Sequence, residues 1–217
     1  MEPEPGGFAS SPSRPREVVL VSFVPPAYPY DRLDDARRLA ADHEGGVIDL
    51  SVGTPNDPPP AFVLAAMATP DDADHAARGY PASIGSLDLR QAIVQWTKER
   101  FGVSLDDDSV AACVGTKEFV ATTPQWLHLR RPDRDTVLYP ALSYPTYEMG
   151  AVLAGLRGVS VAVDSVGRID LSTVSDADRS RALMLWVNSP GNPAGGLDDL
   201  RAAAAWGASN DVPVFSD

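Results

Sequence analysis

Short apolar runs separated by amphipathic stretches recur along most of the chain, and their order sets the fold class. From Asp31 a helical pattern places Leu33, Ala36, Leu39 and Ala40 on one face and stops at Gly45-Gly46. Residues 47–51 read as a short strand, and the loop from Gly53 ends in Pro60, placed to open a helix over Ala61–Ala68. Ser86 is a suitable N-cap for a long amphipathic helix holding Leu89, Ile93, Trp96 and Phe101, with Gly102 as its stop. Beyond it, strand and helix alternate: strand 110–114, helix 116–129, strand 136–139, helix 144–153, strand 159–163, the apolar strand Ala182–Val187, helix 197–208 and strand 212–215. Apolar strands interleaved with helices predict an α/β fold, a mostly parallel sheet flanked by helices on both faces.

In an open parallel sheet, ligands bind beyond the carboxyl ends of the strands, so the residues just after each strand carry the candidate chemistry. Gly115-Thr-Lys-Glu118 opens a helix after strand 110–114, where backbone amides and the Thr116 hydroxyl suit a phosphate. Read alone, it is equally a plain helix cap. Pro140-Ala-Leu-Ser-Tyr-Pro-Thr-Tyr147 offers Tyr144 as a flat face for a planar ring, or as a packing residue. Asn188-Ser-Pro-Gly-Asn-Pro-Ala-Gly195 follows the most hydrophobic strand, a place where turns made for geometry alone are uncommon. Asp217, at the end of the last strand, needs a cationic or hydrogen-bonding partner, such as a protonated ring nitrogen, or serves as an ordinary loop carboxylate.

Composition narrows the classes of function. A hydrophobic content of 44% suits a globular chain with a real core, and the formal charge of −12 argues against nucleic acid as a partner. The single cysteine, Cys113, excludes an intramolecular disulfide, reads as a core residue of its strand, and makes the reducing cytoplasm the expected compartment. The early apolar run ending before Pro25-Pro26 is too short to span a membrane, so no membrane segment is expected. His43, His75 and His128 lack ligand spacing, so no metal site is expected, and the four tryptophans read as packing residues. Residues 1–22 read as a disordered tail, rich in Pro, Ser, Gly and charge at their start.

Taken together and in this order, these segments resemble the class I/II aminotransferases of fold type I, which depend on pyridoxal 5'-phosphate. The resemblance runs from about Phe23 to Asp217. It is carried by Gly53-x-Pro55, Tyr80-x-x-x-x-Gly85 with Leu89-Arg90, Pro140-x-x-x-Tyr144-Pro-x-Tyr147, Asn192-Pro-x-Gly195 and Asp217. Tyr28-Pro-Tyr-Asp-Arg-Leu33, Asp49-Leu-Ser-Val-Gly-Thr-Pro55, Gly115-Thr-Lys-Glu118, Ser143-Tyr-Pro-Thr-Tyr147 and Trp186-Val-Asn-Ser-Pro190 resemble the succinyldiaminopimelate aminotransferases of lysine biosynthesis.

The resemblance implies a division into an N-terminal arm with a small-domain segment over 23–57 and part of the cofactor-binding large domain over 58–217. It implies that the amides of Gly115, Thr116 and Lys117 hold the cofactor phosphate and that Tyr80 reaches the phosphate of a neighbouring subunit in a homodimer. Tyr144 is implied to stack on the pyridine ring, Asn192 to bond its phenolic oxygen and Asp217 to pair with its nitrogen. Gly53 is implied to lie against the substrate carboxylate, the substrates being amino acids and 2-oxo acids.

The family's Schiff-base lysine has no counterpart here. Of 18 basic residues only two are lysines: Lys98, on the polar face of a helix, and Lys117, in the phosphate loop. The chain also stops directly after an apolar strand with no covering element. The expectation is therefore a truncated, N-terminal portion of an aminotransferase, without catalytic turnover of its own. Another aminotransferase or a C–S lyase of the same fold shares these motifs, and a non-catalytic remnant is a further alternative. A nucleotide-binding domain is disfavoured, because neither a G-x-G-x-x-G nor a G-x-x-x-x-G-K-[ST] motif is present.

Overall fold

The computed structural model describes residues 29–53, 55–68 and 79–217. The expected tail, and the part of the arm over 23–28, lie outside the described residues. Seven helices are described: α1 (Asp34–Ala41), α2 (Ala61–Ala68), α3 (Leu87–Phe101), α4 (Thr116–Arg130), α5 (Thr146–Leu153), α6 (Asp176–Arg181) and α7 (Leu200–Asn210). Four strands, β1 (Thr136–Pro140), β2 (Arg157–Val161), β3 (Ala182–Val187) and β4 (Val214–Ser216), form one parallel sheet in the order β2-β1-β3-β4. Parallel neighbours need crossovers. α5 carries the chain from β1 to β2, and α7 from β3 to β4.

β3 lies between two partners and is buried along its whole length, as its unbroken apolar sequence requires. Each face of the sheet carries its own core. On one, Val137, Leu183, Met184 and Trp186 pack with Val120 of α4 and Tyr147 and Ala151 of α5. On the other, Leu138, Leu185 and Val187 pack with Ala203 of α7. The register of β1 on β3 slips between Thr136 and Val137, which face Ala182 and Met184. That irregularity puts the successive residues Leu183 and Met184 into the same core.

Two sequence choices let α5 approach α4. Pro124, buried inside α4, has no N–H to give to the Val120 carbonyl one turn earlier. Opposite it is Gly150, where a Cβ would lie 2.9 Å from that same carbonyl oxygen. A larger residue at position 150 has no room.

The structure corrects several expectations. Residues 47–51 and 110–114 are not strands: among the described residues neither joins a ladder, and the single bond from the Ala112 amide to the Ile84 carbonyl, at 2.9 Å, does not make one. Cys113, read as core, is therefore exposed. Strand 159–163 sits two residues earlier, with Val163 held only by an isolated bridge to Ile169. The helix expected at 197 starts at Leu200, where the Asp199 carboxylate accepts from the Ala202 amide at 2.9 Å. α6 was not foreseen; Ser175 caps it. α3 runs as expected from its Ser86 cap to Gly102, whose φ of 69° is the left-handed stop a glycine makes easily. Its apolar face, though, is not covered among the described residues: Leu89, Trp96 and Phe101 are all exposed. Trp126 is exposed as well, so of the four tryptophans only Trp186 is fully buried.

Candidate cofactor and substrate site

The carboxyl ends of β1, β3 and β4 lie side by side because all three strands run the same way. The residues that follow them meet at one edge. After β4, the Asp217 amide donates to the Val187 carbonyl at 3.1 Å, which sets the aspartate beside the end of β3. Tyr147, reaching in from α5, donates its hydroxyl to Asp217 Oδ2 at 2.7 Å. Burial of the Tyr147 ring, then the bond to Asp217 and its charge, push the phenol far above its ordinary range, so it remains a donor.

The loop after β3 is closed on itself. Gly191 donates to the Gly196 carbonyl at 2.8 Å, and Gly195 donates to the Gly191 carbonyl at 2.6 Å. The peptide bonds Ser189–Pro190 and Asn192–Pro193 are cis. Asn188 ties this loop to β4: its amide nitrogen donates to the Asp217 carbonyl at 2.8 Å, and its amide oxygen accepts from the Asn192 backbone at 2.7 Å. One side chain thus spaces Asn192 from Asp217.

At the start of α4, a Cβ on Gly115 would meet nothing within 4 Å, so the helix mouth is open. Gly115, the N-cap, makes no side-chain cap bond, and among the described residues the amides of Thr116 and Lys117 donate to no carbonyl. The Glu118 carboxylate reaches back to accept from the Val114 amide at 2.6 Å and fixes the approach to the helix. Lys117 Nζ lies 3.4 Å from the Tyr144 hydroxyl and 5.6 Å from the centroid of its ring. A cation and an aromatic face are therefore joined at the helix mouth.

Tyr144 and Asn192 also line a cavity of about 640 Å3 with Gly53, together with Tyr30, Arg37 and Ser51. Of the expected site residues, the structure brings Gly53, Lys117, Tyr144, Asn192 and Asp217 into one connected group, with Gly115 and Thr116 beside Lys117 on α4. Tyr80 is fully exposed and is not brought into it. Sequence reasoning gave no role to Tyr147, Asn188 or Arg37. Tyr147 and Asn188 stand inside the motifs that were singled out; Arg37 is one of several charges on a polar helix, and no signal marked it.

Comparison with known proteins settles the family. The sequence profile described as aminotransferase class I and II matches residues 45–217. The chain belongs to the class I and II aminotransferase family. It is 41% identical over 201 residues to a probable aminotransferase of Mycobacterium tuberculosis, covering 91% of this chain and 44% of that protein. It is 34% identical over 195 residues to the 4-dedimethylamino-4-oxo-anhydrotetracycline transaminase OxyQ of Streptomyces rimosus, covering 88% of this chain and 50% of that protein. Among solved structures, a probable N-succinyldiaminopimelate aminotransferase of Thermus thermophilus superposes with a TM-score of 0.73 at 30% identity, over 87% of this chain and 51% of that one. This aminotransferase chain thus spans about half the length of the curated relatives it matches.

The donor set at the sheet edge suits the family's cofactor. Open helix amides with a neighbouring ammonium match a phosphate, a tyrosine face matches a planar ring, and a carboxylate fixed by a phenol matches a protonated ring nitrogen.

Proposed function

We propose that this chain forms part of the pyridoxal-phosphate site of an enzyme that moves an amino group between N-succinyl-LL-2,6-diaminopimelate and 2-oxoglutarate or glutamate. The observation that carries the reading is the meeting of two bonded sets, Lys117 with Tyr144 and Asn192 with Asp217 through Asn188, at the cavity that Tyr144 and Asn192 line with Gly53. When bound, pyridoxal phosphate supplies an electron sink for a carbanion at the substrate α-carbon. The chain's own residues bind and orient it. The amides of Gly115, Thr116 and Lys117 hold the phosphate, Tyr144 lies on the ring, Asn192 donates to the phenolic oxygen, and Asp217 keeps the ring nitrogen protonated. Gly53 leaves space for the substrate carboxylate, and Tyr80 serves the site of a second copy in a homodimer. In this reading residues 23–57 form the arm and small-domain segment, and 58–217 belong to the large domain.

Neither lysine of the chain suits the covalent role. Lys98 is exposed on α3, and Lys117 is engaged with Tyr144 at the phosphate end. The 217 residues therefore bind the cofactor without turning over. Titrating the purified chain with pyridoxal phosphate, and with pyridoxal as a phosphate-free control, tests this. Saturable binding that weakens in Asp217→Ala and Asn192→Ala, with no sustained glutamate-dependent transamination, is the expected result; no binding, or steady turnover, overturns it.

The succinylated diamino acid is supported by the segment resemblance and by the Thermus relative. The tetracycline-type substrate in the name of the Streptomyces relative supports a second reading, amino transfer to a different oxo compound at the same site. Product analysis with each oxo acid separates the two.

A further inference from the structure

Among the described residues that line the cavity beside Gly53, Arg37 is the one that carries a formal charge. That charge is positive, on a chain whose net charge is −12. Its hydrogen bonds are long: 3.3 Å from Nη1 to Asp34, and 3.5 Å and 3.4 Å from Nη2 to Asp49 and Ser51. Good N–H···O bonds are about 2.7–3.2 Å, so the guanidinium is held in place without being well satisfied. Asp49 leans on Ser51 more than on Arg37. Ser51 gives Asp49 Oδ1 two shorter bonds, 2.8 Å from its amide and 2.5 Å from its hydroxyl. Arg37 can thus turn to a better acceptor without stranding a carboxylate.

We propose that Arg37 reads a second carboxylate on the substrate and makes this cavity selective for dicarboxylic amino and oxo acids. The inference rests on the site reading above and names the residue responsible for its substrate class. A guanidinium presents paired N–H donors in the geometry of a carboxylate, which a neutral substrate tail cannot match. Gly53 and Ser51, two residues apart on one loop, would then place the two ends of such a substrate on opposite sides of Val52.

Calorimetric titration of the chain with glutarate and with valerate, which has the same carbon count and one carboxylate, decides the matter. Each is run with and without pyridoxal phosphate, for the native chain, Arg37→Gln and Arg37→Lys. Native protein prefers glutarate by about tenfold or more, Arg37→Gln loses the preference, and Arg37→Lys keeps part of it. Added salt shrinks the native preference. Equal affinity of the native chain for the two acids, or an unchanged preference in Arg37→Gln, overturns the proposal. Cofactor binding is read in the same samples: its loss alone defeats the cofactor-site reading, while the comparison of the two acids still judges Arg37.

Discussion

The Tyr147 hydroxyl and the Asp217 carboxylate are 2.7 Å apart, and the phenol donates. The tyrosine ring is 1% exposed and packs on Trp186, so the donor comes from a fixed position beneath the site. Tyr147→Phe keeps the ring and removes the donor. It is expected to lower stability by about 0.5–1.5 kcal/mol, seen as a lower urea midpoint. Pyridoxal phosphate should bind severalfold more weakly, because the carboxylate is no longer aimed. Unchanged cofactor affinity would mean that Asp217 is oriented by its backbone alone.

Asn188 holds two partners with one amide, the Asp217 carbonyl and the Asn192 backbone nitrogen. Asn188→Ala removes both bonds and should cost about 1–2 kcal/mol in chemical denaturation. Asn188→Asp is the sharper probe: it retains the acceptor for Asn192 and loses the donor to Asp217. Its cofactor affinity should fall below native, because a carboxylate oxygen then faces the Asp217 carbonyl where a donor stood; native affinity would show that this bond does not position Asp217.

Gly150→Ala pushes a methyl group against the Val120 carbonyl and the backbone of Ala121, at 2.9 and 3.2 Å. The helices must separate to admit it, at a cost of about 1–3 kcal/mol. A reduced melting temperature is the expected outcome. A melting temperature equal to or above the native one would mean that α4 and α5 are not in close contact there.

Asp135 bears on acid stability. Its carboxyl is held at about 2, against an ordinary 3.8, chiefly by the hydrogen bond from Arg181, with desolvation opposing. A depressed carboxyl value adds stability that is fully present above the unfolded value and is lost as pH falls through the folded one. Between pH 3.8 and about 2, native protein should therefore lose stability that Asp135→Asn does not have to lose. The difference in melting temperature between the two should shrink across that window. A constant difference would show that the pair does not titrate as a folded-state contact.

Much of the fold was legible because its signals are local. β3 declares itself as six consecutive apolar residues, and α3 by a serine cap and a glycine stop. Tyr144, Asn192 and Asp217 could be named because parallel strands fix where ligand-facing loops must fall, and Gly53 because its loop resembles the family's. Residues 47–51 and 110–114 misled for the opposite reason. An apolar run states a preference, whereas a strand also requires a partner, and sequence alone does not supply one. Arg37 escaped notice because nothing in a helix of mixed charge tells which arginine will face a loop that follows it in the chain. Asn188 and Tyr147 were visible as motif members, but their roles depend on contacts spanning 29 and 70 residues of sequence.

Trp186 has a consequence that reaches beyond the core. Its ring centroid lies 5.5 Å from those of Phe119, Tyr147 and Phe215 alike. Phe119 sits two residues after Lys117, Tyr147 carries the donor to Asp217, and Phe215 precedes that aspartate by two. Lys117, Asp217 and the Tyr147 phenol are thus mounted on a single aromatic bearing. Motion at the indole would shift them in concert, and the spacing between them would survive a breathing of the sheet that separate supports would not.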